Sequence, residues 1–127
     1  MQITENIPPR TYTVGVADKK IELSDCAHIQ LAADEQVTFV TPSGTELDVT
    51  RKAWGYYATS SLNSRLLHFH LSAALVRSTQ DNKFFILLVE SGQENTFFHY
   101  LKETYQELVC WLNSDENLGK IAALFKS

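Results

Sequence analysis

The sequence predicts a single α+β domain over residues 1–127, in which a mostly antiparallel sheet of meanders and hairpins is followed by two C-terminal helices. Strand-like alternation of apolar and polar residues dominates the first half of the chain, and short polar turn signals separate the alternating segments. Helical spacing of apolar residues appears only after residue 90. The length of 127 residues, with 44% hydrophobic and 20% charged residues, suits one ordinary globular domain.

The first strands are predicted from alternation alone. Residues 1–10 are polar, contain two prolines and are expected to be flexible. Residues 11–16 and 19–31 alternate as strands do, with a short turn between them near residues 17–18. The alternation lapses at residues 24–27, which favours a bulge or a break in the second strand.

Two further hairpins are predicted from turn signals. Residues 35–52 alternate on either side of a Pro-Ser-Gly-Thr turn at residues 42–45. Residues 71–90 form a second hairpin around the polar residues 78–82. Its run at residues 84–89 is the longest apolar run of the chain, so we expect it to be the central, buried strand. The same run is far too short to span a membrane.

The C-terminal part predicts two helices with a short strand at residues 108–112 between them. Ser91 and Glu94 have the spacing of a capping box, which predicts a helix start. The apolar residues of this helix recur at helical spacing at Phe97, Phe98, Leu101 and Tyr105. The last helix occupies residues 114–127 and has one apolar stripe, formed by Leu118, Ile121, Ala122 and Phe125. That stripe leaves two alternatives open, packing on its own sheet or on the partner subunit of a homodimer.

Composition argues against several classes of protein. The formal net charge of -4 provides no general attraction for nucleic acid. Cys26 and Cys110 match no Cys-x-x-Cys spacing and lie in apolar contexts, where a free cysteine behaves as a small hydrophobic residue. The polar amino terminus lacks the apolar stretch of a secretory signal, so we expect a cytoplasmic protein with no membrane partner.

Catalytic and cofactor motifs are missing from the sequence. There is no G-x-S-x-G elbow, no phosphate-binding P-loop and no dinucleotide-binding G-x-G-x-x-G. His68 and His70 would share one face of a strand, but two ligands do not make a metal site, so we expect surface or packing histidines. We predict no cofactor and no metal.

The candidate ligand-binding segment lies in residues 49–80, which contain four cations and no carboxylate within a protein of net charge -4. Arginines beside aromatic rings suit an anionic ligand, because guanidinium binds phosphate and carboxylate through paired donors. The predicted binding residues are Arg51, Lys52, Trp54, Tyr56, Tyr57, Ser61, Asn63 and Arg65. Alternatively, the cations face water or pair with distant acids, and the rings pack in the core. We expect at least one of the three rings to be buried.

Several short runs resemble a family of small uncharacterised bacterial proteins that are often encoded among surface-polysaccharide and nucleotide-sugar genes. The runs are Val37-Thr38-Phe39-Val40-Thr41, then Arg51 through Thr59, Leu62-Asn63, Arg65-Leu66 and Val109-Cys110-Trp111-Leu112. The chain departs from the family pattern at Ser60, where the family has proline, and at Ser64 and His70, where it has glycine. The family has no settled activity to transfer.

Together, the acid-free aromatic segment and the resemblance favour a non-catalytic ligand- or partner-binding accessory protein of surface-polysaccharide metabolism. Its partner would be an anionic sugar-derived ligand or an enzyme of polysaccharide biosynthesis. One alternative is a small enzyme acting on nucleotide sugars, in which Tyr57, Asn63 or a serine polarises the substrate. The other alternative is a purely structural homodimeric interaction module.

Overall fold

A computed structural model describes residues 1–16 and 18–126. Its elements follow in the order β1 (Gln2–Val16), β2 (Lys19–Gln30), β3 (Gln36–Val40), β4 (Glu46–Lys52), β5 (Gly55–Tyr57), α1 (Arg65–His68), β6 (Leu71–Ser78), β7 (Phe84–Glu90), α2 (Glu94–Glu103), β8 (Gln106–Trp111) and α3 (Asp115–Leu124). The strands form the ribbon β1-β2 and two three-stranded sheets, in the orders β3-β4-β5 and β7-β6-β8. The predicted α+β class, with mostly antiparallel sheet and two C-terminal helices, is confirmed.

Contacts between residues divide the chain into two compact units. Unit 1 comprises Met1–Val37 and Val49–Ala58, and unit 2 comprises Thr38–Asp48 and the chain from Thr59 onwards. Every buried apolar side chain among the described residues belongs to unit 2. Unit 1 has no buried residue in the part that the structure describes.

Unit 1 contains the long antiparallel ribbon of β1 and β2. Residues 2–10, expected to be flexible, instead belong to β1, because the first residues of this stretch pair with the end of β2, as Gln2 does with Gln30. The turn predicted near residues 17–18 includes Ala17, which lies outside the described residues.

The irregularity of the ribbon lies where the sequence suggested, but in the other strand. Glu5 pairs with Ala27 and Arg10 with Asp25, so residues 6–9 of β1 lie opposite Cys26. Two of these four residues are prolines, which have no N–H to donate to a ladder. The bulge predicted at residues 24–27 is therefore produced by extra residues in β1. Cys26 itself is exposed, contrary to its expected role as an apolar packing residue.

In unit 2 the central strand is β6. It pairs with β7 on one side and with β8 on the other, whereas the apolar run of β7 was expected to be central. β7 is an edge strand, and its residues Phe84, Phe85 and Ile86 are 54%, 44% and 60% exposed. Burial follows from having neighbours on both sides, and an apolar run in the sequence does not reveal how many neighbours a strand has.

The core of unit 2 lies on both faces of β6. On one face Leu71 and Ala73 pack with Leu66 of α1 and with Leu112. On the other face Ala74 and Val76 pack with residues of β7 and α2. This second cluster also receives the partly buried rings of Phe97 and Trp111, whose centroids are 6.0 Å apart.

Both long helices predicted from the sequence are present, but α2 begins at Glu94 rather than directly after Ser91. The Ser114 Oγ accepts from the Asn117 N–H at 3.2 Å and caps α3. Ser91 does not cap α2, since its hydroxyl donates to the carbonyl of His70. The Glu94 carboxylate instead accepts from the Gly92 N–H at 2.9 Å. No residue of α3 is buried.

Candidate functional site

The predicted segment begins on a tight hairpin of unit 1. Arg51 of β4 pairs with Tyr56 of β5, and Lys52 pairs with Gly55. Gly55 has φ of +148°, a backbone conformation that residues with side chains rarely adopt. The Arg51 backbone is held on its other side, because its N–H donates to the Glu35 carbonyl at 2.9 Å. The hairpin therefore presents its side chains from a hydrogen-bonded frame.

All three rings of this hairpin point outwards. Trp54, Tyr56 and Tyr57 are 70%, 61% and 56% exposed. The expectation that at least one of them is buried is wrong. Tyr56 and Tyr57 take opposite faces of β5, a three-residue edge strand, and neither ring is covered.

The two cations of the hairpin differ in their partners. Lys52 Nζ lies 2.5 Å from Asp34 Oδ1 in an ion pair. The Arg51 guanidinium lies over the Tyr56 ring, 5.7 Å from its centroid, and Nη1 donates to the Gly55 carbonyl at 3.3 Å. Among the described residues, no carboxylate pairs with Arg51. Of the two cations of this hairpin, Arg51 is therefore the one whose charge is left to interact with an anionic ligand.

The remaining three predicted residues belong to unit 2 and form local contacts there. Ser61 Oγ accepts from the Arg65 N–H at 2.8 Å, at the start of α1. Asn63 Nδ2 donates to Asp115 Oδ1 at 2.8 Å. The Arg65 guanidinium lies 5.0 Å from the centroid of Phe69. The eight predicted residues are thus divided between the units, five in unit 1 and three in unit 2.

The acid-free window is partly neutralised by acids from elsewhere in the chain. Besides the Lys52 pair, Arg77 Nε donates to Glu107 Oε1 at 2.8 Å. Two of the four cations thus pair with carboxylates that are distant in sequence, as the alternative interpretation expected. The other two, Arg51 and Arg65, lie over aromatic rings.

The histidines do not share a strand face. His68 ends helix α1, and His70 lies before β6 with φ of +66°. The i, i+2 strand geometry expected for this pair is therefore wrong. Throughout residues 1–16 and 18–126, no three side chains of His, Cys, Asp or Glu come together as a metal site would require.

The sequence analysis missed a carboxylate site in unit 2. Glu90, at the end of β7, accepts hydrogen bonds at Oε1 from the hydroxyls of Thr41 and Ser43, the latter at 2.9 Å. The pKa of Glu90 is lowered because the hydroxyls of Thr41, Ser43 and Thr45 donate to its carboxylate. The sequence carried no motif for this site, because Thr41 and Glu90 are 49 positions apart.

Two cavities of unit 2 lie beside β7, the strand that ends at Glu90. One, of about 300 Å³, is lined by residues of β3, β4, β6 and β7, and Thr45 in its wall is only 6% exposed. The other, of about 350 Å³, lies beside α2 and is lined by Phe97 and Tyr100 among others. Leu88 and Glu90 line both.

Comparisons with known proteins add no identity to this geometry. No protein-family model, curated protein or solved structure matches the chain. In the described part of the chain, none of the helices has both the length and the apolar character needed to cross a membrane. The functional argument therefore rests on the residues and their contacts.

Proposed function

We propose that this protein is a non-catalytic binding protein whose β4-β5 hairpin takes an anionic, ring-bearing ligand of the sugar phosphate or nucleotide sugar class. The observation that supports the proposal is the exposure of three aromatic rings beside an arginine that pairs with no carboxylate of the described residues. Trp54, Tyr56 and Tyr57 are each more than half exposed, and Arg51 lies over one of them.

Exposed aromatic rings on one short hairpin favour a contact surface. A ring left in water forgoes the burial that stabilises a fold, and clustered exposed apolar groups typically mark interaction sites. Stacking of a base on an aromatic side chain contributes about 1–3 kcal/mol. A planar ring of a ligand could stack on Trp54 at the turn or on a tyrosine ring on either face of β5. The hairpin therefore suits a ligand with one or two rings.

Arg51 supplies the charge for the anionic part of the ligand. Its guanidinium has five donors, of which one is directed at the Gly55 carbonyl. The contact with Tyr56 restricts the side chain before any ligand arrives, which lowers the conformational entropy lost on binding. Lys52 contributes less, because Asp34 already neutralises it.

The resemblance to a polysaccharide-associated family supports the choice among anionic ligands. Nucleotide sugars combine phosphate groups with rings that can stack on aromatic side chains. If the partner is a protein instead, we propose an enzyme of polysaccharide biosynthesis that presents acidic groups to the same hairpin. The proposal includes a cytoplasmic location. The enzymatic alternative has less support, because the Ser61 hydroxyl and Asn63 amide that it needs make hydrogen bonds within the protein.

The proposal is tested by calorimetric titration with a uridine diphosphate sugar, uridine diphosphate and inorganic phosphate. Trp54→Ala and Arg51→Gln should each weaken binding of the nucleotide sugar by about tenfold or more, as loss of a stacking contact or a charge-assisted hydrogen bond predicts. Matched controls are Tyr12→Ala, an exposed ring of the same unit, and Arg10→Gln, which is paired with Asp25. Equal affinity in all four variants, or no binding of any member of the panel, would contradict the proposal.

A second candidate, a homodimeric interaction module, is favoured by helix α3. None of its residues is buried, and Leu124 and Phe125 at its end are 78% and 80% exposed. Sedimentation equilibrium of the wild type should then give the mass of a dimer, and Phe125→Glu should give a monomer. Lys126→Glu, which adds a carboxylate one residue later, is the control. A wild-type protein that stays monomeric at high micromolar concentration would exclude this candidate.

A further inference from the structure

We propose that the Glu90 cavity of unit 2 is a second binding site, which takes an organic cation consisting of a protonated amine on an apolar body. This site is separate from the β4-β5 hairpin in both residues and chemistry. The proposal rests on the volume and apolar walls of the cavity of about 300 Å³ and on the carboxylate of Glu90 in its lining.

The walls of the cavities suit an apolar body. Five apolar side chains contribute to the cavity of about 300 Å³, namely Phe39, Val40, Leu47, Leu71 and Leu88. Its volume lies at the lower end of the range of small-molecule sites, roughly 300–1,000 Å³. The neighbouring cavity shares Leu88 and Glu90 with it and adds the rings of Phe97 and Tyr100. The side chains of Leu71, Leu88 and Glu90 share one face of the sheet, so a ligand can place its charge at Glu90 and its body in the cavity of about 300 Å³.

Glu90 carries a charge that nothing in the described chain neutralises. Three other acids of unit 2 have cationic partners, since Asp81 pairs with Lys83, Glu107 with Arg77, and Glu116 with Lys120, whereas Asp48 and Asp115 accept from neutral side chains as Glu90 does. Among the described residues, the contacts of Glu90 come instead from the hydroxyls of Thr41 and Ser43. Hydroxyls stabilise a carboxylate by hydrogen bonding but leave its charge in place, so the site remains complementary to a cation.

The carboxylate also retains hydrogen-bonding capacity. Two carboxylate oxygens offer about four acceptor positions. Among the described residues, the hydrogen bonds to Glu90 come from Thr41 and Ser43, both at Oε1. Acceptor positions are therefore left for an ammonium N–H, and this donor would be charged, which makes the hydrogen bond roughly twice as strong as a neutral one.

An organic cation fits this site better than a metal ion. Ca²⁺ requires about six to eight oxygen ligands and Mg²⁺ a near-ideal octahedron. The cavity instead places one carboxylate among apolar side chains and aromatic rings. The face of an aromatic ring, such as that of Phe39 or Phe97, attracts an ammonium group. The same ring can also pack against the alkyl carbons of the ligand.

The test uses 2-phenylethylamine as the probe, with 2-phenylethanol and 3-phenylpropionate as its neutral and anionic counterparts. In ¹H–¹⁵N spectra of the full chain, the amine should shift the amide signals of residues 39–47 and 88–90, with weaker effects from the alcohol and none from the acid. Glu90→Gln should weaken amine binding by about tenfold and leave alcohol binding unchanged, because only the charged hydrogen bond is lost. Glu107→Gln, which removes a carboxylate of the same unit outside both cavities, should bind the amine as the wild type does.

Several outcomes would overturn the proposal. They are equal binding of the amine and the alcohol, undiminished amine binding by Glu90→Gln, and the absence of any shift with the amine. If Glu90→Gln does not fold, Leu88→Phe serves as a second variant, since it keeps the charge and narrows the cavity of about 300 Å³ that Leu88 lines. Amine binding that is unaffected by Leu88→Phe would place the ligand elsewhere and contradict the proposal. Shifts confined to the signals of the β4-β5 hairpin would contradict it as well.

Discussion

Unit 2 buries Leu66, Ala73 and Val76 around a central strand, whereas unit 1 buries none of its described residues and exposes Trp54 and Tyr12. Unit 2 therefore resembles an ordinary small core, whose apolar side chains stabilise the fold. In unit 1 the backbone pairing of a long ribbon and a tight hairpin provides the order, while the side chains are left at the surface. The exposed rings of unit 1 therefore do not belong to a hydrophobic core, and they remain available for contact with a ligand or a partner.

The largest effect expected from this comparison is a difference between two truncations. Leu66→Ala in unit 2 should lower the free energy of unfolding by about 2–5 kcal/mol, because Leu66 is 2% exposed and its loss leaves a cavity. Trp54→Ala in unit 1 removes a larger side chain, but this side chain is 70% exposed. We therefore expect the free energy of unfolding to change by less than about 0.5 kcal/mol. Urea denaturation of both variants measures the difference. Similar losses in the two variants would refute the comparison.

A smaller effect is expected from backbone strain in the ribbon. Gly15 has φ of +126°, and a Cβ at this position would collide with the carbonyl oxygen of Lys19. Gly15→Ala should therefore destabilise the end of the ribbon by about 1–3 kcal/mol. Hydrogen exchange of the amides of β1 and β2 reports this loss directly. Gly44→Ala in unit 2 is the control, because Gly44 also has positive φ but no atom lies within 4 Å of the added Cβ. If Gly15→Ala lowered the stability no more than Gly44→Ala does, the ribbon would have adapted to the collision and the prediction would be wrong.

The smallest effect expected is a dependence on pH in the acid range, with one carboxylate in each unit. The pKa of Glu35 in unit 1 is lowered chiefly because the Ala32 N–H donates to it, and that of Glu90 in unit 2 chiefly because the Thr41 hydroxyl does. A folded-state pKa below the unfolded value near 4.5 gives a contribution to stability that is present above that value and lost as the pH falls through the folded pKa.

The pH prediction is measured with Glu35→Gln and Glu90→Gln. Each variant should differ most from the wild type at neutral pH, and the difference should shrink as the pH is lowered from about 5. Glu107→Gln is the control for a carboxylate paired with arginine at the surface. A difference that stays constant between neutral pH and pH 3 would show that the amide substitution, rather than the charge, is responsible.

Local signals in the sequence predicted most elements of the fold. The strand over Glu46–Lys52 has the predicted bounds, and α3 (Asp115–Leu124) lies within the predicted range 114–127. Alternation, turn residues and helix caps act over a few residues, so the sequence displays them directly. The strand through residues 2–10 was missed because its prolines and polar residues conceal a pairing that the partner β2 specifies.

The candidate sites depended more strongly on contacts between distant residues. The sequence singled out the hairpin of Arg51 and Trp54, but not which of its cations keeps an unneutralised charge. That distinction comes from Asp34, which pairs with Lys52 across 18 positions of the sequence. The Glu90 site was missed entirely, because Thr41 and Glu90 are 49 positions apart and neither belongs to a recognisable motif.

By itself the sequence determined the α+β class, the position of most strands and helices, and the concentration of rings and cations around residue 54. These properties depend on periodicity and on residue types that are adjacent along the chain. Only the tertiary structure decided that β6 rather than β7 is central, that Trp54, Tyr56 and Tyr57 are exposed, and that Glu90 lines an apolar cavity. The physical reason is that burial and charge pairing depend on which distant segments meet, as when β8 pairs with the free side of β6.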